Sequence, residues 1–347
     1  EVAARNTSLS AYGGEVQIVR DRRVQALLPV SSLAAVAGLP QVSQVRAPNY
    51  MYPLQGFGAN VTEGVQLCGA IAYHAAGMFV FGADVAIVDS GFTSYASAEL
   101  PGNVSVYPAG APLGAGDHGT ACAEVVADMA PMANLPLILI TAAMSMEAAA
   151  DYVASQGFDV ATTSLGTFGG PYDGTHATCQ EVNRAREAGV FWVTAAGNHA
   201  ERHYEGAFAD GDGDGLHEFS GGDETLDVYL YAGAFEGFLS WYQTTPSGLT
   251  NHDFDLVLVD SSGAEIVRSG YSQNGDDPPA DTLLATIAVE GTYGLQIEYY
   301  AGPDNPGDYF QLFLPDYDVE VPLQVPESSM TIPAMASGSY TVGATRG

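Results

Sequence analysis

The sequence contains no lysine, and its ten basic residues are all arginine, against 41 acidic residues. The formal net charge of -31 makes nucleic acid and anionic membrane surfaces poor partners for the chain. Acidic, lysine-free surfaces are typical of proteins in high salt, but GC-rich coding produces the same bias. A halophilic origin therefore stays open.

Cysteine is also scarce. The three cysteines, Cys68, Cys122 and Cys179, are an odd number with no metal-site spacing, so no disulfide framework is inferred. Long hydrophobic runs are missing too: the most apolar stretch, residues 129–146, is interrupted by Pro131, Asn134 and Pro136, which excludes a membrane span there. The sequence begins at Glu1 with no initiator methionine and no visible signal peptide, which is expected of a mature start or of a fragment of a longer frame.

The first 55 residues predict a small αβ segment followed by a linker. Its predicted elements are strands at 15–19 and 24–30, a helix at 33–37, a strand at 42–45 and a linker at 48–58 rich in Pro, Tyr and Gly.

From residue 56 to 203, helices and strands alternate. Helices are predicted at 64–76, 118–129, 146–156 and 179–188, and strands at 85–88, 135–140, 160–164 and 190–195. This alternation is typical of an α/β domain with a doubly wound parallel sheet.

Residues 204–325 show a different pattern, in which Gly, Asp and Pro turns separate short strands. Seven strands are predicted, at 226–231, 238–242, 254–259, 265–267, 283–289, 293–299 and 310–314, which favours an antiparallel β-sandwich inserted into the α/β domain. A buried strand at 339–342 indicates that the α/β domain resumes over residues 326–347.

Three polar residues lie at the ends of predicted strands or at the start of a predicted helix. Their order along the chain suggests acyl-transfer chemistry. Asp89 ends an apolar strand, His118 begins a helix, and Asn198 follows another strand. Parallel strands end at one edge of a sheet, where ligands bind. There Asp89 can orient the imidazole of His118 as a general base, and Asn198 can donate to an oxyanion. An aspartate after a strand can instead bind a ribose, but no glycine-rich phosphate loop follows Asp89.

These motifs resemble those of the subtilases, the subtilisin-like serine peptidases. The residues that support the resemblance are Asp89, the motif 117–120 (Asp-His-Gly-Thr), Ser164-Leu165-Gly166, the motif 195–198 (Ala-Ala-Gly-Asn), and the segments 333–334 and 340–344. The resemblance implies a serine endopeptidase that acts on polypeptides without a cofactor and is secreted. It assigns base orientation to Asp89, general acid–base catalysis to His118 and oxyanion stabilisation to Asn198. It also implies that Ser164, Leu165 and Gly166 bind the substrate backbone.

The family's nucleophilic serine, in a Gly-Thr-Ser turn, has no counterpart up to Gly347. We therefore expect the serine to lie outside this chain, so that the 347 residues alone are inactive. The alternative is a catalytically incomplete protein of the same fold that acts as a binding module. The first 50 residues weakly resemble the inhibitory prodomain of the family, which would place residues 50–58 at the active cleft. A generic αβ module explains them equally well.

Residues 210–215 alternate aspartate and glycine. Asp210, Asp212 and Asp214 space three carboxylates around tight turns, as loops that bind Ca²⁺ do. The twelfth position of an EF-hand loop, Gly221, lacks the expected glutamate, although Glu218 or Asp223 can complete another geometry. A structural Ca²⁺ ion is the hypothesis, and a solvated acidic loop is the alternative.

Overall fold

The computed structural model describes residues 9–20, 22–46, 52–53, 62–98, 100, 104–108, 113–242, 249–303, 308–315 and 321–344. An N-terminal hairpin, a six-stranded parallel sheet flanked by helices, and two four-stranded antiparallel sheets make up this part of the chain. None of its helices is long and apolar enough to cross a membrane.

The N-terminal hairpin consists of β1 (Glu15–Arg20) and β2 (Arg23–Leu27), which pair antiparallel and are followed by helix α1 (Leu33–Ala37). The prediction of a strand at 42–45 is wrong, because those residues form a bend and coil. A short segment such as residues 42–45, in which only the two valines are apolar, becomes a strand only where a partner strand accepts its hydrogen bonds. The hairpin is a separate two-stranded sheet, and residues 42–45 do not join it.

The parallel sheet confirms the predicted α/β strands. In chain order it contains β4 (Val85–Asp89), β5 (Val104–Tyr107), β6 (Leu135–Leu139), β7 (Val160–Thr163), β9 (Phe191–Ala195) and β18 (Ser339–Val342). The spatial order is β18-β9-β7-β4-β6-β5, and every pairing is parallel. The sequence did not predict β5, an edge strand in which every second residue is exposed.

Helices cover the sheet. They are α2 (Thr62–Leu67), α3 (Ala70–Ala75), α4 (His118–Met129), α5 (Ala143–Gln156) and α6 (Ala177–Glu187). The single helix predicted at 64–76 is two helices, because Gly69 adopts a left-handed conformation with φ of 74° between them. A non-glycine residue disfavours that conformation, so the glycine ends one helix and reorients the next.

Two antiparallel sheets form a sandwich between residues 203 and 313. One has the order β10-β17-β12-β15 and the other β11-β16-β13-β14. The strands are β10 (His203–Ala207), β11 (Leu226–Leu230), β12 (Gly233–Trp241), β13 (Asp253–Val259), β14 (Glu265–Arg268), β15 (Ala280–Ile287), β16 (Gly291–Ala301) and β17 (Tyr309–Phe313). All seven predicted strands are present, and β10 is an eighth that the sequence did not indicate.

Aromatic side chains join the sandwich to the α/β core. The ring of Phe168 lies 5.0 Å from that of Phe238 and 5.3 Å from that of Phe313, and the ring of Tyr172 lies 4.9 Å from Phe313. These side chains share one hydrophobic cluster with the core of the parallel sheet. The chain divisions at residues 55, 203 and 325 remain predictions.

Candidate active site

Asp89 and His118 meet at the carboxyl edge of the parallel sheet. Asp89 is the last residue of β4 and is fully buried, while His118 is the first residue of α4 and its side chain is 21% exposed. His118 Nδ1 lies 2.8 Å from Asp89 Oδ2, and the Ser90 N–H donates to Asp89 Oδ1 over 2.7 Å. An ionised Asp89 accepts the Nδ1 proton, so the lone pair of His118 resides on Nε2, the nitrogen that a general base uses.

The close approach of α4 to β4 depends on Gly119. A Cβ atom at this position would lie 2.5 Å from the ring of Phe92 and 2.6 Å from Asp89 Cβ. The Gly119 N–H also donates to the carbonyl of Gly91 over 2.8 Å. The Gly119 position therefore holds the beginning of α4, and with it His118, against the strand that ends at Asp89.

Cys122 lies one turn after His118, beside the same pair. Its sulfur and the ligand atoms of Asp89 and His118 are within 4.8 Å of one another. Burial, together with the negative charge of Asp89, raises the pKa of the Cys122 thiol to about 11, and a hydrogen bond with the Ser164 side chain opposes this rise. The thiol is therefore protonated at neutral pH and is a poor nucleophile. The hydrogen bond between Cys122 and Ser164 places the segment that is predicted to bind substrate next to the pair formed by Asp89 and His118.

The segment predicted to bind substrate backbone, Ser164-Leu165-Gly166, follows β7. Leu165 and Gly166 form a two-residue strand, β8 (Leu165–Gly166), which pairs antiparallel with β3 (Tyr52–Pro53). The register places Tyr52 opposite Gly166 and Pro53 opposite Leu165. The predicted linker 48–58 thus contributes a strand to this segment, while its other residues lie outside the described part of the chain.

Asn198 follows β9, two strands from β4 in the sheet order β9-β7-β4. Neighbouring strands are about 4.8 Å apart, which separates the two strand ends by about 10 Å. The chain turns at Gly197, whose φ of 110° favours glycine, and Asn198 is exposed. Asp89, Ser164 and Asn198 therefore lie along one edge of the sheet, as the sequence predicted, at the ends of three adjacent strands.

The N-terminal hairpin contacts helices α5 and α6 through ion pairs that the sequence did not indicate. Arg23 donates to both carboxylate oxygens of Glu147 over 3.0 and 2.5 Å, and Glu147 is fully buried. Arg20 pairs with Asp151 over 2.6 Å and also with Glu147 and Glu181. The sequence showed Arg23 only as part of a charged turn, and more than 120 residues separate these partners, so no local signal linked them.

The carboxylates of Asp210, Asp212 and Asp214 converge in the loop after β10, with one oxygen of each within 4.8 Å of the others. The N–H groups of Gly213 and Gly215 donate to Asp210 over 2.6 and 3.0 Å. Partial burial and the negative charges of the three aspartates and Glu218 raise the pKa of nearby Glu224. Negative charge thus accumulates here, and its oxygen donors fit a Ca²⁺ ion.

No family model matches the chain, and no curated protein matches it. Among solved structures, the Clostridium perfringens CspB protease resembles it with a TM-score of 0.54 and 14% identity, over 82% of this chain and 74% of that one. The epidermin leader peptide processing serine protease (EpiP) from Staphylococcus aureus matches with a TM-score of 0.39 and 15% identity, over 58% of this chain and 59% of that one. The MycP3 protease of the type VII (ESX-3) secretion system gives 0.31 and 21%, over 51% and 57%.

The likeness to the CspB protease concerns the fold. With its parallel six-stranded sheet and antiparallel sheets, the chain shares the fold of that protease. A fold does not determine chemistry, so the activity has to be argued from the residues at the edge of the sheet.

Proposed function

We propose that this chain supplies the aspartate, the histidine and the oxyanion asparagine of a subtilisin-like serine endopeptidase. The observation that supports this most directly is the 2.8 Å contact between His118 Nδ1 and buried Asp89 at the carboxyl edge of the sheet. The fold shared with the CspB protease agrees with the proposal. The substrate is a polypeptide, and the chemistry requires no cofactor.

In this mechanism His118 Nε2 takes the proton of the serine hydroxyl as the oxygen attacks the peptide carbonyl. Asp89 holds the ring in the required tautomer and stabilises the imidazolium that forms. The Asn198 side-chain amide donates to the oxyanion of the tetrahedral intermediate, and His118 then returns the proton to the leaving amine. The serine comes from outside the 347 residues. Strand β18 runs parallel to β9, so the chain leaves it at the edge where Asp89 and Asn198 lie.

We also propose that the N-terminal segment inhibits the enzyme in the manner of a prodomain. The antiparallel pairing of Tyr52–Pro53 with Leu165–Gly166 supports this, since a peptide substrate would use the same backbone groups. The ion pairs of Arg20 and Arg23 with buried Glu147 fasten the hairpin to the helices. Secretion and a structural Ca²⁺ ion at Asp210, Asp212 and Asp214 complete the proposal.

The test begins with the reading frame beyond the codon for Gly347. We expect a Gly-Thr-Ser turn that opens a helix, and a stop codon or another residue at the serine position would refute catalysis by this polypeptide. In the protein that includes this serine, His118→Ala should abolish labelling by a serine-directed phosphonate.

The chain offers a matched control, because His252 Nδ1 also lies 2.5 Å from a carboxylate oxygen, that of Asp308 in the sandwich. His252→Ala removes that second pair and should leave phosphonate labelling intact. Undiminished labelling of His118→Ala would contradict the assignment and favour the binding-module alternative.

A further inference from the structure

The β-sandwich contains buried carboxylates that the proposed peptidase mechanism does not use. Asp253 begins β13 and Asp281 is the second residue of β15, so the two belong to different sheets. Their side chains are 4% and 2% exposed. Among the described residues, Asp253 Oδ1 and Asp281 Oδ2 have no hydrogen-bond donor. A buried carboxylate oxygen left in this way is strongly destabilising unless a proton, water or a cation satisfies it.

Gln273, in the loop between β14 and β15, connects the two aspartates. Its backbone N–H donates to Asp253, and its Nε2 donates over 3.1 Å to the carbonyl of Ala280, which precedes Asp281. The bond to Ala280 identifies Nε2 as the amide nitrogen, which leaves Oε1 as an acceptor. Gln273 is 2% exposed, and within the described part of the chain nothing donates to Oε1. Gln273 therefore contributes a third buried oxygen without a donor among the described residues, on a side chain bonded next to Asp281 and a backbone bonded to Asp253.

Two arginines lie near this group in the described part of the chain, and both interact with other carboxylates. Arg268 lies beside it but bonds three other carboxylates, those of Asp255, Glu298 and Glu265, over 2.9, 2.8 and 2.7 Å. Another arginine, Arg46, interacts with Asp277 further along the loop. Arg268 is thus shared among three other carboxylates, and Asp253 and Asp281 have no ion pair with it.

We propose that Asp253, Asp281 and Gln273 bind a Ca²⁺ ion that joins the two sheets of the sandwich. Calcium takes six to eight oxygen ligands from carboxylates, amide carbonyls and water, in flexible geometry. The three oxygens that lack a donor among the described residues are of these types. The ion neutralises the carboxylates and links β13 to β15 without a covalent bond. This inference does not depend on the peptidase proposal.

The experiment uses the full chain with Asp210→Asn as its background, so that the loop at 210–214 does not contribute. After chelation, CaCl₂ is titrated while thermal unfolding is followed, and TbCl₃ binding is read from luminescence excited through tryptophan. Trp241 is the expected donor, because its ring lies 5.2 Å from that of Phe254, the neighbour of Asp253. We expect Tm to rise by about 5 °C at a Ca²⁺ concentration about 100 times the Kd.

Asp281→Asn and Asp253→Asn should abolish both the rise in Tm and the terbium signal. Asp227→Asn, which alters an exposed carboxylate on β11 of the same sandwich, should change neither. Gln273→Glu adds a carboxylate and should lower the Kd for Ca²⁺, which gives a readout even where an asparagine variant fails to fold. Absence of Ca²⁺ and Tb³⁺ binding in the Asp210→Asn background, or binding that survives both asparagine substitutions, would overturn the proposal.

Discussion

Tyr52 lies opposite Gly166 in an antiparallel pair of strands. A segment that precedes the α/β domain therefore pairs with the strand that is proposed to bind the substrate backbone. A strand added at this position satisfies the backbone groups of Leu165 and Gly166 whether it comes from the chain itself or from a peptide. A substrate strand would need the same backbone groups, so the pairing supports the proposal that the N-terminal segment inhibits the peptidase.

Arg20→Ala should weaken the docking of the N-terminal hairpin. The change removes the partner of Asp151 and leaves the buried carboxylates of Glu147 and Glu181 less compensated. Loss of one member of a buried ion pair typically costs about 3 kcal/mol. Hydrogen exchange of the amides of Glu15–Leu27 should accelerate accordingly. Arg22→Ala is the control, since Arg22 is exposed and has no ion pair among the described residues, and equal acceleration in both variants would contradict the role given to Arg20.

Asn198→Ala should lower kcat with little change in KM, in the form of the protein that includes the serine. Removal of one oxyanion donor typically lowers kcat about 100- to 1,000-fold, because the bond forms only as the charge develops. Steady-state kinetics on a peptide substrate measures the effect. Asn251→Ala, an exposed position in the sandwich, should leave kcat unchanged, and an unaltered kcat in Asn198→Ala would remove Asn198 from the mechanism.

Gly119→Ala should separate α4 from β4. The new methyl group would lie 2.5 Å from Phe92 and 2.6 Å from Asp89 Cβ, and overpacking of this kind typically costs about 1–3 kcal/mol. We expect a lower free energy of unfolding in urea, because the helix and the strand can no longer pack at this distance. Gly64→Ala provides the comparison: its Cβ meets no atom within 4 Å in α2, so alanine should stabilise that helix by about 0.5–1 kcal/mol. A Gly119→Ala protein as stable as the parent would show that the contact relaxes.

Stability should fall as the pH is lowered from 6.5 towards 4. Burial lowers the pKa of His176, His199 and His217 to about 4 each, against an unfolded value of about 6.5. Between these values, the unfolded chain binds more protons at these three histidines than the folded chain does. Within this window each histidine should therefore reduce the free energy of unfolding by about 1.4 kcal/mol per pH unit.

Urea titrations at several pH values test this dependence. His199 is the position to replace, because neither ring nitrogen has a hydrogen-bond partner among the described residues. His199→Leu should reduce the slope by the contribution of one histidine and leave stability at pH 8 little changed. An unchanged slope would mean that His199 is protonated in the folded protein.

Asp210→Asn should reduce by one the number of Ca²⁺ ions bound per chain. The three convergent carboxylates of Asp210, Asp212 and Asp214 supply the negative charge that such a site needs, and the variant removes a third of it. Equilibrium dialysis measures the stoichiometry. Asp260→Asn is the matched control, since Asp260 accepts the backbone N–H groups of Ser262 and Ala264 in an isolated turn. Equal stoichiometry in both variants would favour a solvated loop at 210–214.

The elements that the sequence predicted best are those with a clear local pattern. The apolar run that ends at Asp89, the helix that begins at His118 and the seven sandwich strands all have hydrophobic periodicity and turn residues at their ends. The strand expected at 42–45 failed because its four residues found no partner strand. Edge strand Val104–Tyr107 was not predicted because four residues are too few for the alternation of buried and exposed positions to be distinctive.

The site was predictable as an order of motifs but not as a set of contacts. That Asp89, Ser164 and Asn198 share one edge follows from a parallel sheet. The bond between Ser164 and Cys122, the pairing of Tyr52 with Gly166 and the buried Glu147 beneath Arg23 depend on long-range packing. Residues that meet only through tertiary structure leave no periodic or motif signal in one sequence.

The first and last strands of the sandwich are neighbours, with His203 opposite Phe313, and this affects how the parallel sheet assembles. Strand β18 reaches β9 across a long stretch of chain, as the hydrogen bond between Ser339 and Thr194, 145 residues apart, illustrates. A sandwich that has already folded shortens that loop to roughly a quarter, which lowers the entropic cost of closing it by about 1 kcal/mol. We therefore expect the β-sandwich to fold first. Its folding brings β18 close to β9, its partner strand in the parallel sheet.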